Sequence, residues 1–267
     1  MKKFALLGYP IKHSLSPLLH NTAFKELNID ANYKLYEILP ENFEKEVKKL
    51  LKELDGFNIT IPFKERILNF LDVIDGEAQK IGASNCACKK NGKWHGYNTD
   101  AIGFIKALKE DINPKNLTVF VVGCGGAAKA VSFALAKNNV KKIFLKDIDT
   151  QKAGKLKKRI EKFYPQIPVF VAEDFSGIKN SQILINATPV GMKEGEMPVP
   201  AEFLHKDLYV FDLIYKKTPL LKEAQKRGLK FQDGLKMLIG QAQESFRIWT
   251  GVEPAFEIML EAVNPVK

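Results

Sequence analysis

A glycine-rich turn between a strand pattern and a helix pattern is the feature that most constrains this fold. Residues 117–122 form an apolar run, Gly123-Cys124-Gly125-Gly126-Ala127-Ala128 follows, and residues 129–136 have helical spacing. Glycines at such a turn let the chain bend sharply and let the backbone approach a pyrophosphate, while the helix start supplies free N–H groups. The order of strand, turn and helix therefore predicts a Rossmann-like unit that binds a dinucleotide.

An acidic residue stands where such a unit contacts a ribose. The next strand-like run, residues 141–146, ends at Asp147, which lies 24 residues after Gly123. In dinucleotide-binding units the ribose-binding carboxylate follows the glycines by about 20 residues. This spacing favours a cofactor site over a tight turn that merely starts a helix.

Strand and helix patterns alternate on both sides of the turn. Strands are predicted at residues 3–8, 33–39, 57–61, 117–122, 141–146, 169–171, 182–186 and 208–212, and a hairpin at residues 83–94 turning at Asn91-Gly92. Helices are predicted at residues 17–27, 43–54, 64–71, from Asn98 or Thr99 to about 110, and at 129–136, 150–163, 219–227, 234–249 and 254–262. The pattern predicts an α/β fold with two domains. We expect an N-terminal α/β substrate domain (residues 1–100 and 235–267), a Rossmann-like NAD(P)-binding domain (residues 101–234), and C-terminal helices that pack back on the first domain.

Composition excludes several classes of function. The 267 residues are 45% hydrophobic and 27% charged, as in a globular protein, and no apolar run approaches the roughly 18–20 residues that span a bilayer. Three cysteines, Cys86, Cys88 and Cys124, fit a reducing compartment, and one Cys-x-Cys without further partners is a poor metal site. We therefore expect a cytoplasmic protein with no membrane and no metal.

The net charge of +10 raises the question of nucleic acid. The lysines of residues 152–162 share one predicted helix that lacks interleaved aromatic side chains, which is typical of a solvated helix face. We expect no nucleic-acid partner and a small-molecule substrate.

Polar residues that folding alone does not require cluster in the first hundred residues. Ser16 before Pro17 has the pattern of a helix N-cap, which leaves Ser14 without a structural role. Asn58 and Thr60 share one face of a predicted strand, and Lys64 follows at a predicted helix entry, where a cation opposes the helix dipole. Such departures from local rules are expected at functional sites.

These segments together resemble the shikimate dehydrogenase family over essentially the whole chain. The resemblance rests on Ser14/Ser16, Asn58-x-Thr60-x-Pro62-x-Lys64, Gly82-Ala83-x-Asn85, Asn98-Thr99-Asp100-x-x-Gly103, Gly123-x-Gly125-Gly126-Ala127, Asn186-Ala187-Thr188, Asp212-x-x-Tyr215 and Asp233-Gly234-x-x-Met237-Leu238-x-x-Gln241-Ala242. The family reduces 3-dehydroshikimate to shikimate with NADPH on the route to aromatic amino acids.

The resemblance implies roles for individual residues. It implies that Lys64 and Asp100 act as the catalytic pair at the substrate's 3-oxygen. The implied substrate ligands are Ser14, Ser16, Thr60, Asn85, Asp100, Tyr215 and Gln241. The implied cofactor ligands are Gly123, Gly125, Gly126 and Ala127 at the pyrophosphate and Leu213 and Gly234 at the nicotinamide, together with Asp147.

The chain departs from the family pattern at the cofactor ribose. Members that prefer NADP carry Asn-Arg-Ser/Thr after the second strand of the nucleotide unit, whereas this chain has Asp147-Ile148-Asp149. Asp147 suits a ribose diol and repels a 2′-phosphate, although Lys146 and Lys152 offer compensation. NADP is the cofactor that the resemblance implies, and NAD is the alternative that these residues favour.

Three alternatives to a biosynthetic NADP enzyme remain open. One is an NAD-dependent quinate/shikimate dehydrogenase, another a non-catalytic dinucleotide-binding regulator on the same fold, and the third a nucleic-acid-binding protein. Lys64 and Asp100 together argue against the regulator, since a sensor needs no acid-base pair. Both a monomer and a homodimer are compatible with the sequence.

Overall fold

The chain divides into two compact units. The computed structural model describes residues 1–263; residues 1–103 and 239–263 form the first unit, and Phe104–Leu238 form the second. Both divisions fall inside helices, so each helix contributes residues to both units.

The strands are β1 (Lys2–Gly8), β2 (Ala31–Glu37), β3 (Gly56–Ile59), β4 (Val73–Ile74), β5 (Cys86–Lys90), β6 (Lys93–Tyr97), β7 (Thr118–Val122), β8 (Lys142–Lys146), β9 (Val169–Val171), β10 (Ile183–Asn186), β11 (Tyr209–Asp212) and β12 (Phe231–Gln232). The α-helices are α1 (Ser16–Glu26), α2 (Phe43–Glu53), α3 (Gly76–Ile81), α4 (Asp100–Asp111), α5 (Gly126–Lys137), α6 (Thr150–Phe163), α7 (Pro219–Lys226), α8 (Leu235–Thr250) and α9 (Phe256–Val263). Short 3₁₀ helices occupy Pro40–Asn42, Arg66–Phe70, Ser176–Asn180 and Ala201–Phe203.

The first unit contains a mixed six-stranded sheet in the order β2-β1-β3-β5-β6-β4. Strand β1 runs parallel to β2 and β3, while β5 runs antiparallel to β3 and β6. The predicted hairpin is confirmed, since Lys90 pairs with Lys93 and the two intervening residues, Asn91 and Gly92, both have positive φ. That conformation fits the tight hairpin turn that Asn-Gly favours.

A buried apolar layer fixes α2 against this sheet. Phe43, Val47 and Leu50 of α2 lie in one cluster with Phe57 of β3 and Phe63. The last helix, α9, packs against α1, as predicted for the C-terminal helices.

The second unit contains an all-parallel six-stranded sheet in the order β12-β11-β10-β7-β8-β9. Numbered within the unit, this is the order 3-2-1-4-5-6 of the doubly wound dinucleotide-binding fold. Ligands of such folds bind beyond the carboxyl ends of the strands where the order reverses, which here is between β7 and β10. The α/β class and the Rossmann-like unit are therefore confirmed.

Two local predictions are wrong. The α-helix predicted at residues 64–71 is a 3₁₀ helix at Arg66–Phe70, so Lys64 lies in the preceding turn and no α-helix dipole opposes it. Ser16 is the first residue of α1, and no side-chain cap bond is made by the N-cap residue, Leu15. Instead the Ser14 hydroxyl, 3.2 Å away, accepts from the Ser16 N–H.

Candidate functional site

A buried ion pair lies at the carboxyl end of the first sheet. Lys64 Nζ is 2.5 Å from Asp100 Oδ2, and the two side chains are 11% and 8% exposed. Lys64 is held in its turn because its carbonyl accepts from Ser84 N at 2.8 Å, and Asp100 begins α4. The structure thus brings together two predicted residues that are 36 positions apart.

Asn85 holds the second oxygen of the Asp100 carboxylate. Its Nδ2 donates to Asp100 Oδ1 at 2.8 Å and to Thr99 Oγ1 at 2.9 Å. Its Oδ1 accepts from the Thr99 N–H at 2.6 Å. Gln241 lies at the same place, since its Oε1 is 3.5 Å from Asn85 Nδ2. Asp100 is therefore bound on one oxygen by an ammonium and on the other by an amide.

Further polar residues lie behind this group. Asn58 Nδ2 donates to the Asn85 carbonyl at 3.1 Å and to Ser245 Oγ at 2.9 Å, and Ser245 Oγ is 3.1 Å from Thr99 Oγ1. Sequence reasoning marked Asn58 as an unexpected polar residue but missed Ser245, which lies within the apolar pattern of α8.

The two serines predicted to bind a substrate carboxylate lie as a hydroxyl pair at the start of α1. Ser14 Oγ donates to Ser16 Oγ at 3.1 Å, and Ser16 is buried. Thr60 follows β3, with its N–H donating to the Leu7 carbonyl at 2.9 Å. The remaining predicted substrate ligand, Tyr215, belongs to the second unit, and burial raises the pKa of its hydroxyl.

The glycine turn of the second unit lies at the reversal point of the parallel sheet. Gly123 follows β7 with φ of +98°, and a Cβ there would lie 2.9 Å from the carbonyl oxygen of Ala187, which follows β10. Gly125 precedes α5 and has open space where a Cβ would project. Gly126 and Ala127 form the first turn of α5, where backbone N–H groups have no partner within the helix. This cradle fits a pyrophosphate.

Asp147 is fixed beside the glycine turn. Its Oδ2 accepts from Cys124 N at 2.7 Å and its Oδ1 from Asp149 N at 2.9 Å. Neither nearby lysine is directed to its carboxylate, because Lys146 Nζ donates to the Glu173 carbonyl and Lys152 Nζ is 3.8 Å from Asp149.

Ile148 is fully exposed next to Asp147. It supplies no charge at the position where the family pattern has an arginine. A carboxylate followed by an apolar side chain suits a ribose diol and does not suit a 2′-phosphate.

Leu213 and Gly234 lie against each other in the second unit. A Cβ on Gly234 would be 2.0 Å from the Leu213 carbonyl oxygen, so only glycine fits. Leu213 follows Asp212, a fully buried residue whose carboxylate accepts from Asn186 Nδ2 at 3.0 Å and Thr218 Oγ1 at 2.7 Å. Desolvation by burial raises the pKa of Asp212 to about 6. These bonds connect the carboxyl ends of β10 and β11.

Residues 1–263 contain no group of three or more His, Cys, Asp or Glu side chains that could hold a metal ion. No helix in that part of the chain has both the length and the apolar character needed to cross a membrane.

Two family models match the chain. Residues 6–87 match the shikimate dehydrogenase substrate binding domain, and residues 234–263 match the shikimate 5'-dehydrogenase C-terminal domain.

Individual relatives match over nearly the full length. A protein of Methanocaldococcus jannaschii named shikimate dehydrogenase (NADP(+)) is 44% identical over 276 residues, covering 98% of this chain and 96% of the relative. The crystal structure of shikimate dehydrogenase from Aquifex aeolicus has a TM-score of 0.93 and 37% identity, covering 99% of this chain and 98% of that one. The Thermus thermophilus enzyme in complex with NADP(H) and shikimate has a TM-score of 0.90 and 34% identity, covering 100% of both chains.

A mixed α/β unit with a buried lysine-aspartate pair, joined to a doubly wound dinucleotide-binding unit, defines the class of two-unit nicotinamide-dependent oxidoreductases. Within that class, the matches above show the family. This chain belongs to the shikimate dehydrogenase family.

Proposed function

We propose that this protein interconverts 3-dehydroshikimate and shikimate with a nicotinamide dinucleotide, with Lys64 and Asp100 acting at the 3-oxygen. The observation that carries this proposal is the buried Lys64–Asp100 pair, in which Nζ and Oδ2 are 2.5 Å apart. A water-poor ammonium–carboxylate pair of this kind is suited to move or neutralise charge on one substrate oxygen.

The chemistry needs a group that handles the charge on oxygen. A bound nicotinamide dinucleotide would supply or accept the hydride at the substrate carbon. When a ketone receives a hydride, its oxygen becomes an alkoxide, and the Lys64 ammonium gives that oxygen a proton. In shikimate oxidation Lys64 first releases a proton to solvent, and its neutral amine then takes the hydroxyl proton as the carbon–oxygen double bond forms. Asp100 orients the ammonium, and Asn85 keeps Asp100 in place through its bond to Oδ1.

We propose that one set of residues binds the carboxylate of the substrate and another set binds its other oxygens. The Ser14 and Ser16 hydroxyls, 3.1 Å apart, are suited to donate to one carboxylate. Thr60, Asn85, Gln241 and Tyr215 are the proposed ligands of the remaining oxygens, with Asp100 contacting the hydroxyl that reacts.

The proposed dinucleotide ligands are Gly123, Gly125, Gly126 and Ala127 at the pyrophosphate, Asp147 at the ribose, and Leu213 and Gly234 at the nicotinamide. NADP(H) is the cofactor named for the Methanocaldococcus jannaschii and Thermus thermophilus relatives and is the first candidate for this chain. The dinucleotide cradle fits it, but Ile148 supplies no charge for a 2′-phosphate, and Asp147 would repel one at a cost of ~1 to 4 kcal/mol at contact range.

A second candidate is an NAD-dependent dehydrogenase of shikimate or quinate, which the fixed carboxylate of Asp147 and the neutral Ile148 favour. Activity on quinate with NAD distinguishes this candidate from the first.

The deciding experiment measures initial rates of shikimate oxidation with NADP and NAD in parallel, each at varied concentration. Turnover of shikimate with either cofactor, lost in Lys64→Ala, supports the proposal. A protein that binds dinucleotide but turns over neither shikimate nor quinate is the non-catalytic regulator instead. We also propose that the protein acts in the cytoplasm on a small molecule, as a monomer or homodimer, and without a nucleic-acid partner. Gel filtration tests the oligomeric state, and DNA-binding assays test for nucleic-acid binding.

A further inference from the structure

Asn58 is a buried polar residue that the proposed mechanism does not use. It is 4% exposed, and its amide bonds are directed into the first unit, toward Tyr33, Asn85 and Ser245. Ser245 on α8 is completely buried and lies between Asn58 and Thr99. We call Asn58, Ser245, Thr99 and Asn85 the buried polar chain.

Three backbone groups determine which atom donates and which accepts in the hydrogen bonds of the buried polar chain. The Gln241 backbone carbonyl can only accept, so the Ser245 hydroxyl donates its one hydrogen to that oxygen, at 2.9 Å. The Asn85 carbonyl can only accept, so Asn58 presents its Nδ2 to it at 3.1 Å. The Thr99 N–H can only donate, so Asn85 presents Oδ1 to it at 2.6 Å.

The side-chain bonds then follow. Ser245 Oγ, with its proton committed, accepts from Asn58 Nδ2 at 2.9 Å and from the Thr99 hydroxyl at 3.1 Å. Thr99 Oγ1 in turn accepts from Asn85 Nδ2 at 2.9 Å, and the other hydrogen of that amide points at Asp100 Oδ1 at 2.8 Å. The alternative acceptor for the Thr99 proton, Asn85 Oδ1, is farther, at 3.3 Å, and is already bound.

From these contacts we propose that Ser245, supported by Asn58, is a positioning residue for the Lys64–Asp100 pair. It acts through Thr99 and Asn85 and does not itself contact the pair. This inference rests on the proposed function, because it concerns the rate of that reaction.

Removing the Ser245 oxygen leaves a buried Asn58 N–H without an acceptor and leaves the Thr99 hydroxyl only the longer contact to Asn85 Oδ1, at 3.3 Å. Buried polar groups without partners are costly, so Thr99 and Asn85 shift to recover a bond. Thr99 directly precedes Asp100 and Asn85 binds it, so a shift of either moves the reacting pair. Displacements of about 1 Å cost up to about 10²-fold in rate, so we expect a decrease in kcat of roughly tenfold for Ser245→Ala.

The test compares Ser245→Ala with Ser132→Ala by steady-state shikimate oxidation. Ser132 is equally buried, and its hydroxyl has no hydrogen-bond partner among the described residues, so it controls for loss of a buried hydroxyl. We expect Ser245→Ala to lower kcat about tenfold with KM for shikimate within about twofold, and Ser132→Ala to leave both unchanged. Ser245→Cys, which keeps an atom at this site but is a weaker acceptor, should fall between.

A double-mutant cycle tests the route of the effect. In a Thr99→Val background, Ser245→Ala should change kcat by less than about twofold, because the intermediate group is already absent. Independent, multiplying losses overturn the proposal, as does an unchanged kcat in Ser245→Ala or an equal loss in Ser132→Ala. If Ser245→Ala does not fold, Ser245→Cys is measured in its place, and a wild-type kcat there overturns the proposal. An inactive wild-type protein refutes the proposed function instead.

Discussion

His20 makes the first unit sensitive to acid. The imidazole is completely buried, stacked on Tyr33 at 4.5 Å between ring centroids and 5.0 Å from Trp249. Neither ring nitrogen has a hydrogen-bond partner among residues 1–263. Burial lowers the pKa of His20 from 6.5 to about 3, because desolvation of the charged imidazole outweighs the opposing effect of the Asn58 side chain.

The sign of the effect follows from the two pKa values. Above pH 6.5 the histidine is neutral in both states, so it gives no pH dependence. Below pH 6.5 His20 is protonated in the unfolded chain but stays neutral in the folded unit. The free energy of unfolding therefore decreases until the pH falls to about 3. At pH 5 the loss is about 2 kcal/mol, and His20→Phe, which keeps an aromatic ring, removes it.

Urea unfolding followed by tryptophan fluorescence measures the stability of the first unit, because both tryptophans, Trp94 and Trp249, lie in it. Between pH 7.5 and pH 5 the free energy of unfolding of His20→Phe should rise by about 2 kcal/mol relative to wild type, a shift of about 1 M in urea midpoint. His13→Gln, which removes an exposed histidine from the same unit, supplies the control for the loss of a histidine. Parallel pH dependences of wild type and His20→Phe would refute the reasoning.

Three further predictions concern the site and the cofactor unit. Lys64→Ala should lower kcat by about 10²- to 10⁴-fold while KM for shikimate changes far less, since the loss is of acid-base chemistry; steady-state kinetics that show equal losses of turnover and affinity contradict that role. Asp147→Asn combined with Ile148→Arg should raise the ratio of kcat/KM for NADP to that for NAD by about tenfold or more, because it removes a like charge and adds a cation; titration of cofactor binding should show the same shift, and an unchanged ratio argues against ribose discrimination here. Gly234→Ala should strongly destabilise the second unit because its Cβ would lie 2.0 Å from a backbone oxygen, whereas Gly154→Ala on α6, with open space, should stabilise it by about 0.5–1 kcal/mol; thermal melting that ranks the two variants equally contradicts the packing argument.

Long elements with a strong periodic pattern were predictable from the sequence. Helix α6 begins and ends at the predicted residues because Asp149 caps it and its apolar residues recur at helical spacing. Strands β4 and β12 have two residues each, which is too short for any periodicity, and α3 and the 3₁₀ helix at Arg66–Phe70 are similarly short.

The site was only partly predictable for a different reason. Asn58 was recognisable because a polar residue in a buried strand breaks the expected pattern. Ser245 gave no such signal, because one serine in an amphipathic helix is ordinary and its partner Thr99 is 146 residues away. The proximity of Lys64 and Asp100 likewise depends on tertiary structure, and sequence spacing alone could not provide it.

The buried carboxyl group of Asp212 gives the second unit a proton balance opposite to that of the first. Because its pKa is raised from 3.8 to about 6, the folded second unit holds a proton at pH 5 that the unfolded chain releases. Stability from this group is therefore present in acid and is lost as the pH rises through about 6, at a cost of about 3 kcal/mol at neutral pH. In calorimetry at falling pH, the melting transition of the second unit should move upward from this group while that of the first moves downward from His20. Acidification should therefore lower the heat resistance of the first unit relative to that of the second.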